Sequence, residues 1–130
     1  MGEAYKLDCA DCGYHMNVFV GIGFTYAYLH SIASFVQDAA LKKRIAEFEK
    51  EPSTRYAAYD ALYRCTACRS LRNELYLEMK SDRDYFVTAY SCGKCGEAMH
   101  PVTDDPRTVR LECPECAGGQ LTATFYMDWD

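Results

Sequence analysis

The chain is short of the features that membrane proteins and most enzymes need. No apolar run approaches the roughly 18 residues that cross a bilayer, and the opening segment MGEAYKLDCADCGY has no basic start, apolar centre or small-residue cleavage site. A cytoplasmic protein is therefore the expectation. Met1-Gly2 does not begin a myristoylation signal, because Lys6 stands where Ser or Thr is wanted. Histidine is scarce: His15, His30 and His100 are the only three. No serine, histidine and carboxylate grouping suggests a hydrolase, and Asp104-Asp105 before Pro106 reads as turn chemistry. Gly21 and Gly23 lack the lysine of a phosphate loop and read as a tight strand-to-helix turn. The densest basic run, Lys42-Lys43-Arg44, is followed by Glu47, Glu49 and Glu51, the pattern of a solvated helix face. A protein without enzymatic activity is the expectation.

What the sequence does have is cysteine in one arrangement only. All eight cysteines fall in four CxxC units, Cys9/Cys12, Cys65/Cys68, Cys92/Cys95 and Cys113/Cys116, with none left over. A disulfide framework has no reason to use that spacing alone, and redox chemistry needs no more than one such unit. A CxxC turn instead brings two sulfurs onto one ion, and structural zinc takes four thiolates in a tetrahedron at about 2.3 Å. Four knuckles thus make two closed sites, with zinc as the expected ion and iron as the alternative. Because no coordination position stays open, such sites stabilise a fold and do not activate water.

Seventeen residues separate Cys95 from Cys113, inside the usual window for a paired CxxC site, so Cys92, Cys95, Cys113 and Cys116 are assigned to one ion. Cys9, Cys12, Cys65 and Cys68 then form the other, across 52 residues. The competing arrangement pairs Cys65/Cys68 with Cys92/Cys95 across 23 residues and leaves the first and last knuckles to meet through space.

Periodicity places a hairpin at about 5–20, a long helix at about 25–50 with Thr25 as its cap, and a second helix after Pro52 on which Tyr56, Tyr59, Leu62 and Tyr63 share a side. Alternation predicts strands near 71–79, 85–90, 108–112 and 120–129. The expected fold is α+β: two zinc-ribbon β units, residues 1–80 and 81–130, in one compact body, the first interrupted by a helical insertion at about 25–62.

DCADCGY, the VFVGIGF run, LYRCTAC and the LYLEM strand resemble the uncharacterised bacterial CpXC-type zinc-ribbon proteins, over residues 5–80. The likeness implies the Cys9/Cys12 with Cys65/Cys68 pairing and no activity. The chain departs from that family in having the CPxC form only at Cys113-Pro114-Glu115-Cys116. CGY after the first knuckle and CPEC also look like rubredoxin, which implies iron and electron transfer, although rubredoxin holds its two knuckles within a single small domain.

Formal charge is −5, falling to roughly −9 with eight thiolates and two divalent ions, which disfavours a nucleic-acid backbone as partner. Eleven tyrosines in a chain that is 14% aromatic favour contact with another protein, or self-association, and Tyr26, Tyr28, Tyr56 and Tyr59 are the candidate interface. The alternative is a nucleic-acid-binding ribbon using Arg64, Arg69, Arg72 and Lys94.

Overall fold

The computed structural model describes residues 2–116 and 118–129. Its strands are β1 (Gly2–Cys9), β2 (His15–Gly21), β3 (Arg55–Arg64), β4 (Leu71–Lys80), β5 (Tyr85–Val87), β6 (His100–Pro101) and β7 (Leu121–Trp129). They form one antiparallel sheet in the order β5-β4-β3-β2-β1-β7, with β6 beside β3. A 3-10 turn (Phe24–Ala27), α1 (Leu29–Phe35) and α2 (Ala39–Glu49) lie between β2 and β3 in the chain. The expected boundary at residue 80 does not divide this sheet, because β7 is hydrogen-bonded along β1 from Cys9↔Leu121 to Gly2↔Trp129.

The expected long helix is broken twice. The aromatic and β-branched residues of VFVGIGFTYAY favour extended backbone, and Tyr28 is extended at φ −139°. Asp38 then starts a new helix, its carboxylate accepting from the Ala40 and Leu41 amides at 2.9 and 3.2 Å. The helix expected after Pro52 is the strand β3. One of its faces carries Ala58 and Leu62 and the other Ala61 and Tyr63, all buried. A central strand covered on both sides loses alternation, and its apolar spacing then matches a helix equally well. The expected strand at 108–112 is reduced to a single bridge, Glu112↔Gln120.

Three apolar clusters follow from this layout. The helices set Ile32, Val36, Ile45 and Phe48 against Ala58, Leu77 and Met79 of β3 and β4. Tyr5, Leu7 and Val18 pack with Leu62 and Leu111. Tyr63 and Met99 pack around Cys65 and Cys92. The 3-10 turn is pinned to β3 by polar contacts: the Tyr26 hydroxyl donates to Asp60, whose carboxyl is pushed above its ordinary range by burial, and the Tyr56 hydroxyl donates to the Tyr26 carbonyl at 2.8 Å.

The two halves of the sheet meet at one registered pair, Gly21↔Asp60. Asn73 of β4 reinforces that joint with its side chain, accepting from the Phe19 amide at 2.8 Å while donating to the Phe19 and Ala61 carbonyls at 2.8 and 3.0 Å. Replacing it removes all three of these contacts. Asn73→Leu should lower unfolding free energy by about 2 kcal/mol, read as a shift in the urea midpoint at unchanged slope.

Candidate metal centres

Each CxxC unit closes the end of a strand or strand lead-in in the same way. In the first three, the amide four residues after the first cysteine donates back to that cysteine's carbonyl: Gly13 to Cys9 at 3.0 Å, Arg69 to Cys65 at 2.8 Å and Gly96 to Cys92 at 2.9 Å. That returning residue lies in the left-handed region, at φ 79° for Gly13, 68° for Arg69 and 78° for Gly96. Glycine suits the position, and arginine there is under steric strain. In the last unit the Cys113 amide donates to the Gly119 carbonyl at 2.9 Å, and Gly118 takes the positive φ of 83°.

The eight sulfurs gather in two sets, Cys9, Cys12, Cys113 and Cys116, and Cys65, Cys68, Cys92 and Cys95, each with all its sulfurs within 4.8 Å of one another. This replaces both expected pairings with the competing one. The reason is strand order. The 96–112 segment does not form a ribbon hairpin. It returns to β3 through β6 and through Val102, whose amide donates to the Leu62 carbonyl at 2.7 Å. The β1–β7 ladder carries the last knuckle to the first, while the β3–β4 hairpin turn holds Cys65 and Cys68 near the chain that leaves β5. The resulting centres are nested, the inner one lying wholly between the two halves of the outer.

Within each set the first cysteine of one knuckle faces the second of the other. Cys9–Cys116 is 3.6 Å, Cys12–Cys113 3.5 Å, Cys65–Cys95 3.5 Å and Cys68–Cys92 3.1 Å. No disulfide is present among them. A tetrahedron with metal–sulfur bonds of about 2.3 Å has edges of about 3.8 Å, so the donor set fits a four-coordinate ion after small inward or outward adjustments. The Lys94 amide donates to the Cys92 sulfur at 3.4 Å and the Glu115 amide to the Cys113 sulfur at 3.3 Å, contacts that favour thiolate.

Proton affinities within each set divide unevenly. Cys92 is pulled down to about 6 by the Cys68 thiol and by the Cys95 and Lys94 amides. Cys95 is pushed up to about 12 against the pull of the Glu97 amide, by Cys65, by burial and by the remaining sulfurs. In the outer set Cys113 falls to about 7, the Glu115 and Cys116 amides overcoming burial, while Cys116 rises to about 12 beside Cys12 and Cys9. Four adjacent sulfurs resist carrying four negative charges, and a divalent cation removes that resistance. The two groups together can hold two metal ions.

His15, His30 and His100 are exposed and belong to neither set. Asp105 has the turn role read from the sequence: it accepts from the Arg107 amide at 2.8 Å and from its guanidinium, which holds the carboxyl below the usual range. Of the four candidate interface tyrosines, Tyr28 and Tyr56 line one concavity. Tyr26 is buried, Tyr56 and Tyr59 are half-buried with Tyr59 stacked on Tyr76 at 4.7 Å, and only Tyr28 is exposed. Arg64, Arg69, Arg72 and Lys94 separate: Arg64 and Arg69 line one concavity with Arg110, Arg72 pairs with Glu74 at 3.2 Å on β4, and Lys94 is exposed on its knuckle.

Sequence reasoning missed Gly119, although the Gly118-Gly119 pair directly after the last knuckle was the available signal. A Cβ built there would lie 2.7 Å from the Cys116 sulfur and 2.8 Å from that of Cys9. Metal-bound sulfurs cannot swing away. Gly119→Ala should therefore cut metal content from two ions per chain to one, whereas Gly93→Ala, with nothing within 4 Å, should leave both. Elemental analysis of the two purified variants checks this.

No protein-family model matches the chain, and neither a curated protein nor a solved structure shows significant similarity to it. Among the described residues no helix is long and apolar enough to cross a membrane.

Proposed function

We propose that this is a cytoplasmic, non-enzymatic protein-binding module in which two structural zinc ions hold a β-sheet whose free edge receives another polypeptide as an added strand. The observation that carries the reading is β7. It is the last strand of the sheet, and among the described residues the only strand it pairs with is β1; past Leu121, whose amide donates to the Leu111 carbonyl at 2.9 Å, one row of its main-chain donors and acceptors has no strand beside it. Over nine residues it carries a single charged side chain, Asp128, and no proline, so of the devices that ordinarily protect an edge it has only that charge and the irregularity at Tyr126, where the register passes from Ala4↔Met127 to Tyr5↔Phe125. Phe125, Tyr126 and Met127 are exposed side by side on it. Main-chain pairing with flanking apolar contacts is the chemistry of strand addition.

Zinc is the ion proposed because a closed set of four cysteines is its usual structural site, a donor set that iron also accepts, and no catalytic step is assigned to either ion. The CpXC likeness brings no activity, so the reading stands on the geometry. A rubredoxin-like carrier would be red and contain iron, whereas a colourless protein with two zinc ions per chain removes that alternative.

The direct test is selection from a displayed library of random linear peptides against the metal-loaded chain, with native mass measured in parallel. Enrichment of extended apolar peptides that no longer bind Phe125→Lys or Met127→Lys supports the proposal. Dimerisation lost in the same variants would identify the received strand as a second copy. A monomer that enriches nothing, or peptides that bind both variants unchanged, contradicts it.

A further inference from the structure

Between the two metal centres lies an open concavity of about 210 Å³ lined by Arg64, Arg69 and Arg110, with Glu112 as its one acidic side chain. This is an unusual concentration of positive charge for an acidic chain. The guanidiniums are held by neutral groups. Arg64 donates to the Arg110 carbonyl at 3.2 Å and Arg69 to the Cys116 carbonyl at 3.3 Å. Arg110 donates through Nη2 and Nε to the Gln120 amide oxygen at 2.6 and 2.9 Å, with the amide turned to accept. Among the described residues, none of the three forms an ion pair, in contrast to Arg44, Arg72 and Arg107. They are therefore oriented without being neutralised, and a guanidinium with one edge occupied still has donors to offer an oxyanion.

The backbone supplies an independent reason to assign these side chains a ligand. Arg69 stands at the returning position of its knuckle with φ 68°, where the first and third knuckles have Gly13 and Gly96. Glycine would relieve that strain, and strained non-glycine backbone is a feature of ligand sites. Compensation of two anionic metal centres needs positive charge nearby, but it does not need an arginine at a position shaped for glycine.

We propose that Arg64, Arg69 and Arg110 form a binding site for a single phosphoryl group, a phosphate monoester on a peptide or small molecule. Three planar, forked donors lining one small concavity match the oxygens of a tetrahedral dianion. A long polyanion fits less well, because the net charge of −5 repels an extended backbone outside the site.

Inorganic phosphate is the first probe, titrated into the metal-loaded chain against sodium chloride of matched ionic strength, with the arginine Nε–H signals followed by NMR. Saturable shifts of Arg64, Arg69 and Arg110 with phosphate alone are expected. Arg69→Gly and Arg110→Gln should each weaken binding by about tenfold or more, with two metal ions per chain retained. Arg69→Gly should also have a thermal midpoint equal to or above that of the parent, which separates loss of the site from loss of the fold. Equal responses to phosphate and chloride, or undiminished phosphate binding by Arg69→Gly, would overturn the assignment, and loss of metal from Arg69→Gly would make the arginine a counterion to the centres instead. A phosphoserine peptide that binds better than its unphosphorylated form would identify a protein-borne phosphate as the source. A thymidine oligonucleotide that binds where the phosphopeptide does not would replace the single-phosphoryl reading with nucleic-acid binding.

Discussion

Removing both metal ions with a strong chelator will abolish the cooperative unfolding transition and collapse the dispersed NMR spectrum, and two equivalents of zinc will restore both. The apparent contribution of a structural zinc site, about 10–16 kcal/mol at neutral pH, is as large as the whole net stability of a typical domain, about 5–15 kcal/mol. The packing gives that comparison a local cause. Cys65 and Cys92 are members of the buried cluster around Tyr63 and Met99, so losing the inner ion opens part of the core itself. The outer ion joins knuckles 101 residues apart, measured from Cys12 to Cys113, against 24 from Cys68 to Cys92. Loop-closure entropy makes the outer cross-link worth about 1 kcal/mol more from that difference alone. A spectrum that stays dispersed after complete metal removal would contradict the account.

Phe48→Ala should lower the unfolding free energy by about 4 kcal/mol while leaving metal content at two ions per chain. Phe48 is 1% exposed, packed among Ile32, Ile45 and Leu77 on the helical side of β3 and β4, and none of its neighbours in that cluster is a cysteine. The Arg44 guanidinium lies 5.1 Å from its ring centre while pairing with Asp84 at 2.8 Å, so the substitution also loosens the tie from α2 to the β4–β5 turn. Equilibrium denaturation combined with elemental analysis measures both quantities. Metal loss in the folded variant would mean that the helical layer and the centres are coupled more closely than their separate clusters imply.

The identity of the eight ligand residues was legible because CxxC is local: four residues fix the turn and the direction of both sulfurs. The first hairpin and β4 were legible for a similar reason, since each sets buried apolar residues against polar ones along the strand, and the final strand was legible from its β-branched and aromatic residues. Pairing of the knuckles was not local. It depends on β7 crossing the full chain to lie beside β1, and no spacing rule encodes strand order. The segment from Tyr56 to Tyr63 read as helix because it is buried on both faces, and the break before Asp38 went unseen because a capping carboxylate between two apolar stretches looks like one polar position on a continuous helix. The concavity joins Arg64 and Arg69, at the second knuckle, to Arg110 near the end of the 96–112 excursion, so Arg110 gave no sign in the sequence of belonging with the other two.

The central claim is the nested pairing of four knuckles into two metal centres, and paired cysteine substitutions test it most directly. In this arrangement Cys9→Ser with Cys113→Ser damages one centre, and elemental analysis should find one ion per chain. Cys9→Ser with Cys65→Ser damages both, and little or no metal should remain. The sequential pairing of first with second and third with fourth knuckles requires the reverse, with no metal in the Cys9/Cys113 variant and one ion in the Cys9/Cys65 variant, and that result would contradict the structure described above.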